Sequence, residues 1–367
     1  MIEREVMNIK ILVSFLLLFV SVLSYFNMQI TEPFDKEFHG KQFSTFYVDY
    51  EEKRMEIGMI GDILLHLPLY NYASFLPSFE PVREKLESLD LLLANQESIP
   101  AGPEFGLSGY PNFSSPTHII RDLKEVGVDM ISMANNHTLD QGEAGVLSAI
   151  RHMKKYSMPY MGAYETIEDL QTDRILEVEN IHFGLLNYTY GMNGYNTPTG
   201  KDYLVNTIDA DRIIKEIQVL KDKVDFVIVS IHWGSEYELE ANDQQKQLAH
   251  AMAEAGADII FGHHPHVIQP YEEIATKDGH TTHVFYSLGN FFSAQSFDFT
   301  NIGGIAKVSV LKKTINGKEV LKLEDPSFIA TAVIKENPYK VYPLEEVESK
   351  VNQTDEWVQE HLFNFKD

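Results

Sequence analysis

Short apolar runs alternate with amphipathic stretches along most of the chain. The runs are rich in Ile, Val, Leu and Met, which is typical of buried strands, whereas the intervening stretches have helical spacing. Strands are predicted over residues 55–60, 90–94, 128–133, 158–161, 181–188, 225–231 and 257–261. Helices are predicted over residues 79–88, 117–126, 142–156, 209–221 and 244–255. This alternation predicts a layered α/β core with a largely parallel sheet.

The pattern changes after residue 282, where strand-like runs follow one another without helices. Turn signals such as Asn316-Gly317 separate them, as expected for hairpins. We predict one domain over residues 55–345, followed by an acidic C-terminal helix over residues 346–367. The additional strands are predicted over residues 284–288, 305–311, 319–323 and 328–335.

The N-terminus carries a different kind of apolar segment. Residues 11–26 contain no charged side chain, and Arg4 and Lys10 precede them. Extension to residue 30 gives about the 20 residues that a membrane span needs. No clear small-residue cleavage site follows, so residues 1–30 are predicted to be an uncleaved signal anchor that leaves the rest of the chain outside the cell membrane. A cleaved signal peptide, and therefore a secreted protein, is the alternative; residues 31–54 are predicted to be a linker.

Charge and cysteine content exclude several classes of function. The chain has 367 residues, with 30 basic and 54 acidic side chains, for a net charge of −24. A surface this acidic repels nucleic acid, so no nucleic-acid partner is predicted. The chain contains no cysteine, which excludes disulfides, thiolate metal ligands and a cysteine nucleophile.

Polar side chains follow five of the predicted strands. In a parallel sheet such ends lie along one edge, where α/β proteins bind ligands. One cleft would then collect carboxylate and amide oxygens together with three imidazoles. That donor set suits two divalent ions, such as manganese, zinc or iron, which share one oxygen. The predicted metal ligands are Asp62, Glu97, Asn136, His232, His264 and His266.

His264 and His266 are two positions apart, so an extended chain would project both imidazoles to the same side. Taken alone, each predicted ligand is also compatible with a turn, a helix cap or a core position.

Other residues near these ligands are predicted to assist them. His137 is the candidate general acid, and Asp140 is expected to orient its imidazole. The alternative for Asp140 is that it opens the helix that follows. His66, Asn95 and His263 are predicted to support the ligands from a second layer.

The motifs at these positions resemble those of the CapA-type bacterial capsule synthesis (poly-γ-glutamate) family, which is related to calcineurin-like metallophosphoesterases. The resemblance implies a four-layer α/β/β/α sandwich. It extends from about residue 56 to residue 293 and is carried by Gly61-Asp62, Asn95-Gln96-Glu97, Ala134-Asn135-Asn136-His137, His232-Trp233-Gly234 with Glu236-Tyr237, Gly262-His263-His264-Pro265-His266 and Tyr286-Ser287-Leu288-Gly289-Asn290-Phe291.

Individual motifs of the metallophosphoesterase superfamily align with this sequence. Asn136-His137 matches the superfamily's GNH motif, and His264-Pro265-His266 matches its GHxH motif. Asp62 stands at the first metal-binding aspartate. Two positions depart from the pattern, since Leu64 replaces a histidine and Asn95-Gln96-Glu97 replaces a Gly-Asp pair. Glu97 is therefore the expected bridging ligand.

The resemblance also implies a function. It indicates a membrane-anchored extracellular protein of poly-γ-glutamate synthesis, export or processing, with a metal-dependent hydrolase-like site. The implied partners are the membrane, other capsule-synthesis membrane proteins, and an anionic polymer or phosphate ester as substrate. Two alternatives stay open: a metal-dependent phosphodiesterase or phosphatase with an unrelated substrate, and a non-enzymatic scaffold subunit of a membrane complex.

Overall fold

The computed structural model describes residues 50–363, which form fourteen strands and eight α-helices. The strands are β1 (Tyr50–Leu64), β2 (Leu91–Gln96), β3 (Met130–Ser132), β4 (Tyr160–Met161), β5 (Ile175–Val178), β6 (Ile181–Thr189), β7 (Phe226–His232), β8 (Ile259–His263), β9 (Ile268–Ala275), β10 (Thr281–Leu288), β11 (Asn290–Ser293), β12 (Ile302–Ile315), β13 (Lys318–Ile334) and β14 (Lys340–Pro343). The helices are α1 (Leu76–Phe79), α2 (Arg83–Glu87), α3 (His118–Glu125), α4 (Gly142–Lys155), α5 (Ile167–Leu170), α6 (Ala210–Lys221), α7 (Asp243–Ala255) and α8 (Asp355–Phe363).

The strands form two sheets. The first has the order β14-β13-β12-β1-β2-β3-β4, and β11 pairs with the end of β1. Its strands β1 to β4 are parallel, whereas β12, β13 and β14 are antiparallel to their neighbours. The second sheet has the order β5-β6-β7-β8-β10-β9, with a parallel centre and antiparallel edge strands. The predicted mixed α/β fold is confirmed, and it contains two sheets.

Three apolar clusters hold these elements together. Successive residues of one strand enter different clusters because strand side chains alternate between the two faces. Leu92 packs with residues of α3 and α4, whereas Leu93 packs with residues of the second sheet. In the same way, Ile228 faces the first sheet and Val229 packs with residues of α6 and α7. Each fully buried side chain of this size contributes about 1.5–3 kcal/mol relative to an exposed one.

The helix that precedes the histidine-rich segment has well-defined ends. Helix α7 begins after Asn242, whose side chain accepts from the Gln245 backbone while the Gln245 side chain accepts from the Asn242 backbone. This reciprocal cap satisfies two donors that a helix start otherwise leaves unpaired. The helix ends at Gly256, whose φ of 105° is strained for residues with a side chain. These ends fix where β8 begins, and so where the histidines lie.

Several strands differ from the sequence predictions, mainly at sheet edges. Strands β5, β9, β11 and β14 were not predicted. The edge strands β5 and β9 carry exposed or charged residues instead of an apolar run. Strand β13 is continuous where two strands were predicted. Asp325, with a φ of 53°, lies beside the register shift that lets the strand continue past Pro326.

Secondary structure near both ends of the described residues also differs from the prediction. Residues 50–54, predicted to be linker, pair with residues 311–315 of β12 as part of β1. Within the described residues the C-terminal helix α8 covers Asp355–Phe363, and the residues before it include short 3-10 turns. The predicted signal segment lies outside the described residues. Among residues 50–363, every helix is too short or too polar to span a bilayer.

Candidate metal centre

The predicted ligands come together from the carboxyl ends of strands in both sheets. Asp62 lies in β1 and Glu97 follows β2, both in the first sheet. His232 ends β7, and His264 and His266 follow β8, in the second sheet. The single sheet edge expected from the sequence is therefore wrong. The site forms where the ends of two packed sheets meet.

Glu97 is shared by two groups of candidate ligands. One group contains Glu97, His232 and His264, and the other contains Asp62, Glu97 and His266. Within each group the ligand atoms lie within 4.8 Å of one another. Oε1 of Glu97 is 3.6 Å from Nε2 of His232 and 3.6 Å from Nε2 of His266. Glu97 is therefore the carboxylate that the two groups have in common.

The residues present fit divalent cations. Both carboxylate oxygens of Glu97, Nδ1 of His232, Nε2 of His263 and Nδ1 of His264 are buried without a hydrogen-bond partner among the described residues. Buried polar atoms are nearly always paired, since each unpaired one costs about 1–3 kcal/mol. Oxygen and imidazole nitrogen atoms are the donors that zinc, manganese and iron prefer. The unpaired atoms therefore match the chemistry of a metal site.

The electrostatics of the site point the same way. Burial raises the pKa of Glu97 well above its usual range and lowers the pKa of His232 well below its usual range. Burial also lowers the pKa of His264 to about 3. A bound cation would favour the ionised form of Glu97 and the neutral form of the imidazoles.

His266 differs from the other histidines. Burial alone would lower its pKa, but the charges of Glu97 and Asp62 and a hydrogen bond to Asp62 raise that pKa to about 9. Its Nδ1 also lies 3.1 Å from Oδ1 of Asn290, at the start of β11. His266 therefore holds a proton that a metal ion would have to displace.

Asp62 is held by the residues predicted to support it. Asn95 donates from Nδ2 to Oδ1 of Asp62 at 2.9 Å, and Nδ1 of His263 lies 2.9 Å from the same oxygen. Burial would raise the pKa of Asp62, but hydrogen bonds from His263 and His266 outweigh burial and hold the pKa well below its usual range. Asp62 therefore stays ionised.

The histidine segment has an unusual backbone. Strand β8 ends at His263, and then His264 and His266 have φ angles of 98° and 60°. The extended geometry expected for these two residues is therefore wrong, although their ring centres lie 5.9 Å apart. Such conformations cost on the order of 1–3 kcal/mol and concentrate at functional sites. Just before them, a Cβ at Gly262 would lie 2.0 Å from the Tyr286 carbonyl oxygen, so only glycine fits.

His137 and Asp140 form a pair beside the ligands. Nδ1 of His137 lies 2.7 Å from Oδ2 of Asp140, which also accepts from the backbone N–H of Phe113 at 2.6 Å. The Phe113 ring packs edge-on against both His137 and His66, with ring centres 4.7 and 5.0 Å away. The long Gly- and Pro-rich segment between β2 and α3 thus reaches the site through Phe113.

His66 and Asn136 lie beside the clustered ligands. Nδ1 of His66 is 3.1 Å from the Leu64 carbonyl oxygen, and burial lowers the pKa of His66 to about 4. Oδ1 of Asn136 is 2.9 Å from Nε2 of His232, and its Nδ2 donates to Asn193 at 3.3 Å. Asn136 thus contacts a predicted ligand directly.

Glu236 lies beside the histidines but had no predicted role. Its side chain is exposed. Its carboxylate forms a further group of candidate ligands with His264 and His266, in which the ligand atoms lie within 4.8 Å of one another. The available signal was its position after His232-Trp233-Gly234, a motif that carried the family resemblance. Tyr190 was also missed; its ring centre lies 4.6 Å from that of His264.

Comparisons with known proteins agree with the motifs. The chain is 33% identical to the "Capsule biosynthesis protein CapA" of Bacillus anthracis, over 52% of this chain and 46% of that protein. It is 32% identical to the "PGA biosynthesis protein CapA" of Bacillus subtilis strain 168, over 56% of this chain and 53% of that protein. The chain thus spans about half the length of these curated relatives.

Two solved structures are also similar. The NAD nucleotidase of Haemophilus influenzae superposes with a TM-score of 0.45 at 12% identity, covering 82% of this chain and 55% of that one. A 5′-nucleotidase precursor of Thermus thermophilus gives a TM-score of 0.40 at 12% identity, covering 74% of this chain and 54% of that one. Residues 56–295 match the family described as bacterial capsule synthesis protein PGA_cap, and the chain belongs to that family.

Proposed function

We propose that this chain acts in the synthesis, export or processing of a poly-γ-glutamate capsule, through a metal-dependent hydrolase-like site. Family membership supports the process, because two relatives are named for capsule or PGA biosynthesis. We further propose that residues 1–30 tether the domain to the outer face of the cell membrane. Its partners there would be other capsule-synthesis membrane proteins.

The observation that carries the hydrolase-like site is the position of Glu97. Its unpaired, buried carboxylate lies between a group with His232 and His264 and a group with Asp62 and His266. We infer that the site holds two divalent ions, with manganese, zinc and iron as candidates. When bound, such ions supply Lewis acidity toward an amide or phosphate oxygen.

The protein's own residues would supply the proton. The Nδ1 atom of His137 is engaged by Asp140, so Nε2 is the atom left to donate a proton to a leaving group. The Asp140 carboxylate stabilises the charged imidazole and fixes its orientation. Packing against the Phe113 ring restricts the imidazole plane further. We assign His137 as the acid on this basis.

The layer order belongs to the same proposal. The three apolar clusters support a helix–sheet–sheet–helix order, the four-layer sandwich of metallophosphoesterases. In that arrangement the substrate reaches the carboxyl ends of both sheets. Two bound cations would also offset the repulsion between an anionic polymer and a chain of net charge −24.

The test removes one ligand in the full-length protein. We expect wild-type protein to contain about two divalent ions per chain and His264→Ala to contain fewer, as measured by mass spectrometry of bound metals. In producing cells that depend on this chain, His264→Ala should lower polymer amount at least about tenfold. His250→Ala is the matched control, because the His250 side chain is 55% exposed and lies in α7, outside the ligand groups. Unchanged polymer in a metal-depleted variant would contradict the proposal and favour a scaffold role.

A phosphodiesterase or phosphatase is the second candidate. Two ligand groups that share a carboxylate, next to a His–Asp pair, also suit in-line displacement at phosphorus. An aryl phosphate diester screen with Mn²⁺, Zn²⁺ and Fe²⁺ tests this. Turnover that is lost in His264→Ala would support the second candidate, and absence of turnover with every metal would reject it.

A further inference from the structure

The loop that follows β7 is attached to the histidine segment at two points. The backbone N–H of Trp233 donates to the His263 carbonyl oxygen at 3.1 Å. The backbone N–H of Tyr237 donates to the Pro265 carbonyl oxygen at 2.8 Å. Because both ends of this short stretch are tied to the histidine segment, the backbone of Glu236 between them has a fixed position beside the site.

A buried glutamine holds the next part of the loop. Nε2 of Gln269 donates to the carbonyl oxygens of Glu238 at 2.8 Å and Glu240 at 3.0 Å. Gln269 in turn accepts from Gln245 at the start of α7. The loop therefore presents three alternate glutamates from a restrained backbone. Among the described residues, Glu236 is the one of the three that groups with His264 and His266.

The carboxylate of Glu236 is grouped with a buried histidine, one of whose ring nitrogens has no partner among the described residues. His264 is 4% exposed, and its Nδ1 makes no hydrogen bond with any described residue. Glu97, whose oxygens are also unpaired, lies in a group with the same histidine. An ion held between these residues would have buried donors on the protein side and Glu236 on the solvent side.

We propose that Glu236 is an exchangeable metal ligand, which closes the solvent side of the metal centre at rest and is displaced by an anionic oxygen of the substrate. This inference rests on the proposed metal site. Asp62 and Glu97 are fully buried, so releasing either would leave an uncompensated charge in the interior. Glu236 is exposed and regains hydration when it leaves. Glu236 is therefore the ligand that exchanges with the substrate.

The exchange conserves charge. One bond between the ion and a Glu236 oxygen breaks, and one bond between the ion and a substrate carboxylate or phosphate oxygen forms. No proton or electron moves, and one anionic oxygen replaces another at the ion. This gives an acidic protein a way to admit an anionic substrate, since the repelling carboxylate moves out as the substrate binds.

The first measurement is metal affinity in the full-length protein. We expect Glu236→Gln to bind Mn²⁺ about tenfold more weakly than wild type by calorimetry, with the same number of sites. Glu238→Gln is the matched control, since Glu238 is exposed in the same loop but outside the ligand group. Its affinity should equal that of wild type. Thermal unfolding of each metal-free variant shows whether it is folded.

The second measurement is anion binding to the Mn²⁺-loaded protein. Glu236→Gln should bind orthophosphate or γ-glutamylglutamate about tenfold more tightly than wild type, because the competing carboxylate is gone. Tighter binding of either anion supports the exchange, and the anion that wild type binds more tightly indicates whether the substrate offers a phosphate or a carboxylate. Equal Mn²⁺ affinity, or no tightening for either anion, rejects the exchange alone. Absence of Mn²⁺ binding by wild type would reject the proposed metal site as well.

Discussion

Two buried polar regions near the strand ends differ in their hydrogen bonding. In one, Oδ1 of Asn187 accepts from the backbone N–H groups of Met133 and Ala134 at 3.2 and 2.7 Å. Its Nδ2 donates to the Ser230 carbonyl oxygen at 3.1 Å. In the other, Glu97 is equally buried, but neither of its oxygens has a partner among the described residues.

This difference separates a structural site from a binding site. Asn187, in β6, ties the end of β3 to β7 and so joins the two sheets. Its atoms are satisfied by the protein and have no capacity left for a ligand. The carboxylate oxygens of Glu97 can still bind a ligand, because they have no hydrogen-bond partner among the described residues. Burial of a polar side chain is common to both regions, and the unpaired atoms distinguish the candidate metal centre.

The largest expected effect follows from replacing Glu97. Glu97→Gln keeps the shape of the side chain but removes the charge shared by both ligand groups. We expect the affinity for Mn²⁺ to fall at least about 100-fold, beyond the range typical of residues that only support ligands. Calorimetry on the full-length protein measures this. Retained affinity would mean that Glu97 does not bridge, and the two regions would then not differ in function.

Replacing Asn187 should lower stability and leave metal binding unchanged. Asn187→Ala leaves two backbone N–H groups without their acceptor, so the free energy of unfolding should fall by about 2–3 kcal/mol. Metal content per folded chain should stay unchanged. Urea denaturation of the metal-free protein measures the loss, and Asn352→Ala, at an exposed position, should stay within about 0.5 kcal/mol of wild type. Loss of metal together with stability would show that the two regions are not separable.

We also expect the affinity for Mn²⁺ to depend on pH. In the metal-free protein the pKa of His266 is raised to about 9, so at pH 7 this imidazole carries a proton that a metal must displace. Affinity for Mn²⁺ should therefore rise as pH increases from about 7 to 9, by up to about tenfold per pH unit for each proton released, and level off above about 9. Calorimetry in buffers of different ionisation enthalpy counts the protons. Affinity that is flat over this range would show that metal binding displaces no proton from His266.

The same raised pKa has a consequence for the stability of the metal-free protein. A histidine whose folded pKa lies above its unfolded value of about 6.5 stabilises the fold below that value. This contribution is lost as pH rises from about 6.5 through 9. Bound metal should remove the dependence, because it takes the place of the proton. Unfolding curves with and without Mn²⁺ at about pH 7 and 9 report it alongside the binding measurement.

Local signals were sufficient to predict that several of the clustered residues lie at strand ends. Asp62, Glu97, His232 and His264 each follow an apolar run that predicts a buried strand, and each lies near the end of that strand. The edge strands β5 and β9 are less clearly apolar, since Glu177 interrupts β5, and Glu272 and Glu273 interrupt β9. Strands with an apolar run, including the edge strand β4, could thus be predicted from patterning, whereas β5 and β9 could not.

The remaining features depend on contacts between distant parts of the chain. His263 and Asp62 are 201 positions apart, and no local pattern indicates their hydrogen bond. Asn95 and Asn187 are the same residue type near the ends of strands, but their roles are set by which atoms approach them after folding. The left-handed backbone of His264 and the position of Glu236 also depend on contacts that form only after folding.

The origin of the ligands in two sheets has a consequence for metal selection. A site whose donors come from positions as far apart as Asp62 and His266 does not exist in the unfolded chain. An ion at the proposed site would therefore be acquired only once both sheets have packed. Because zinc outcompetes manganese and iron for most nitrogen and oxygen sites at equal supply, the supply in the compartment where folding finishes decides the occupant. The metal found in the native protein would then record where the chain folded.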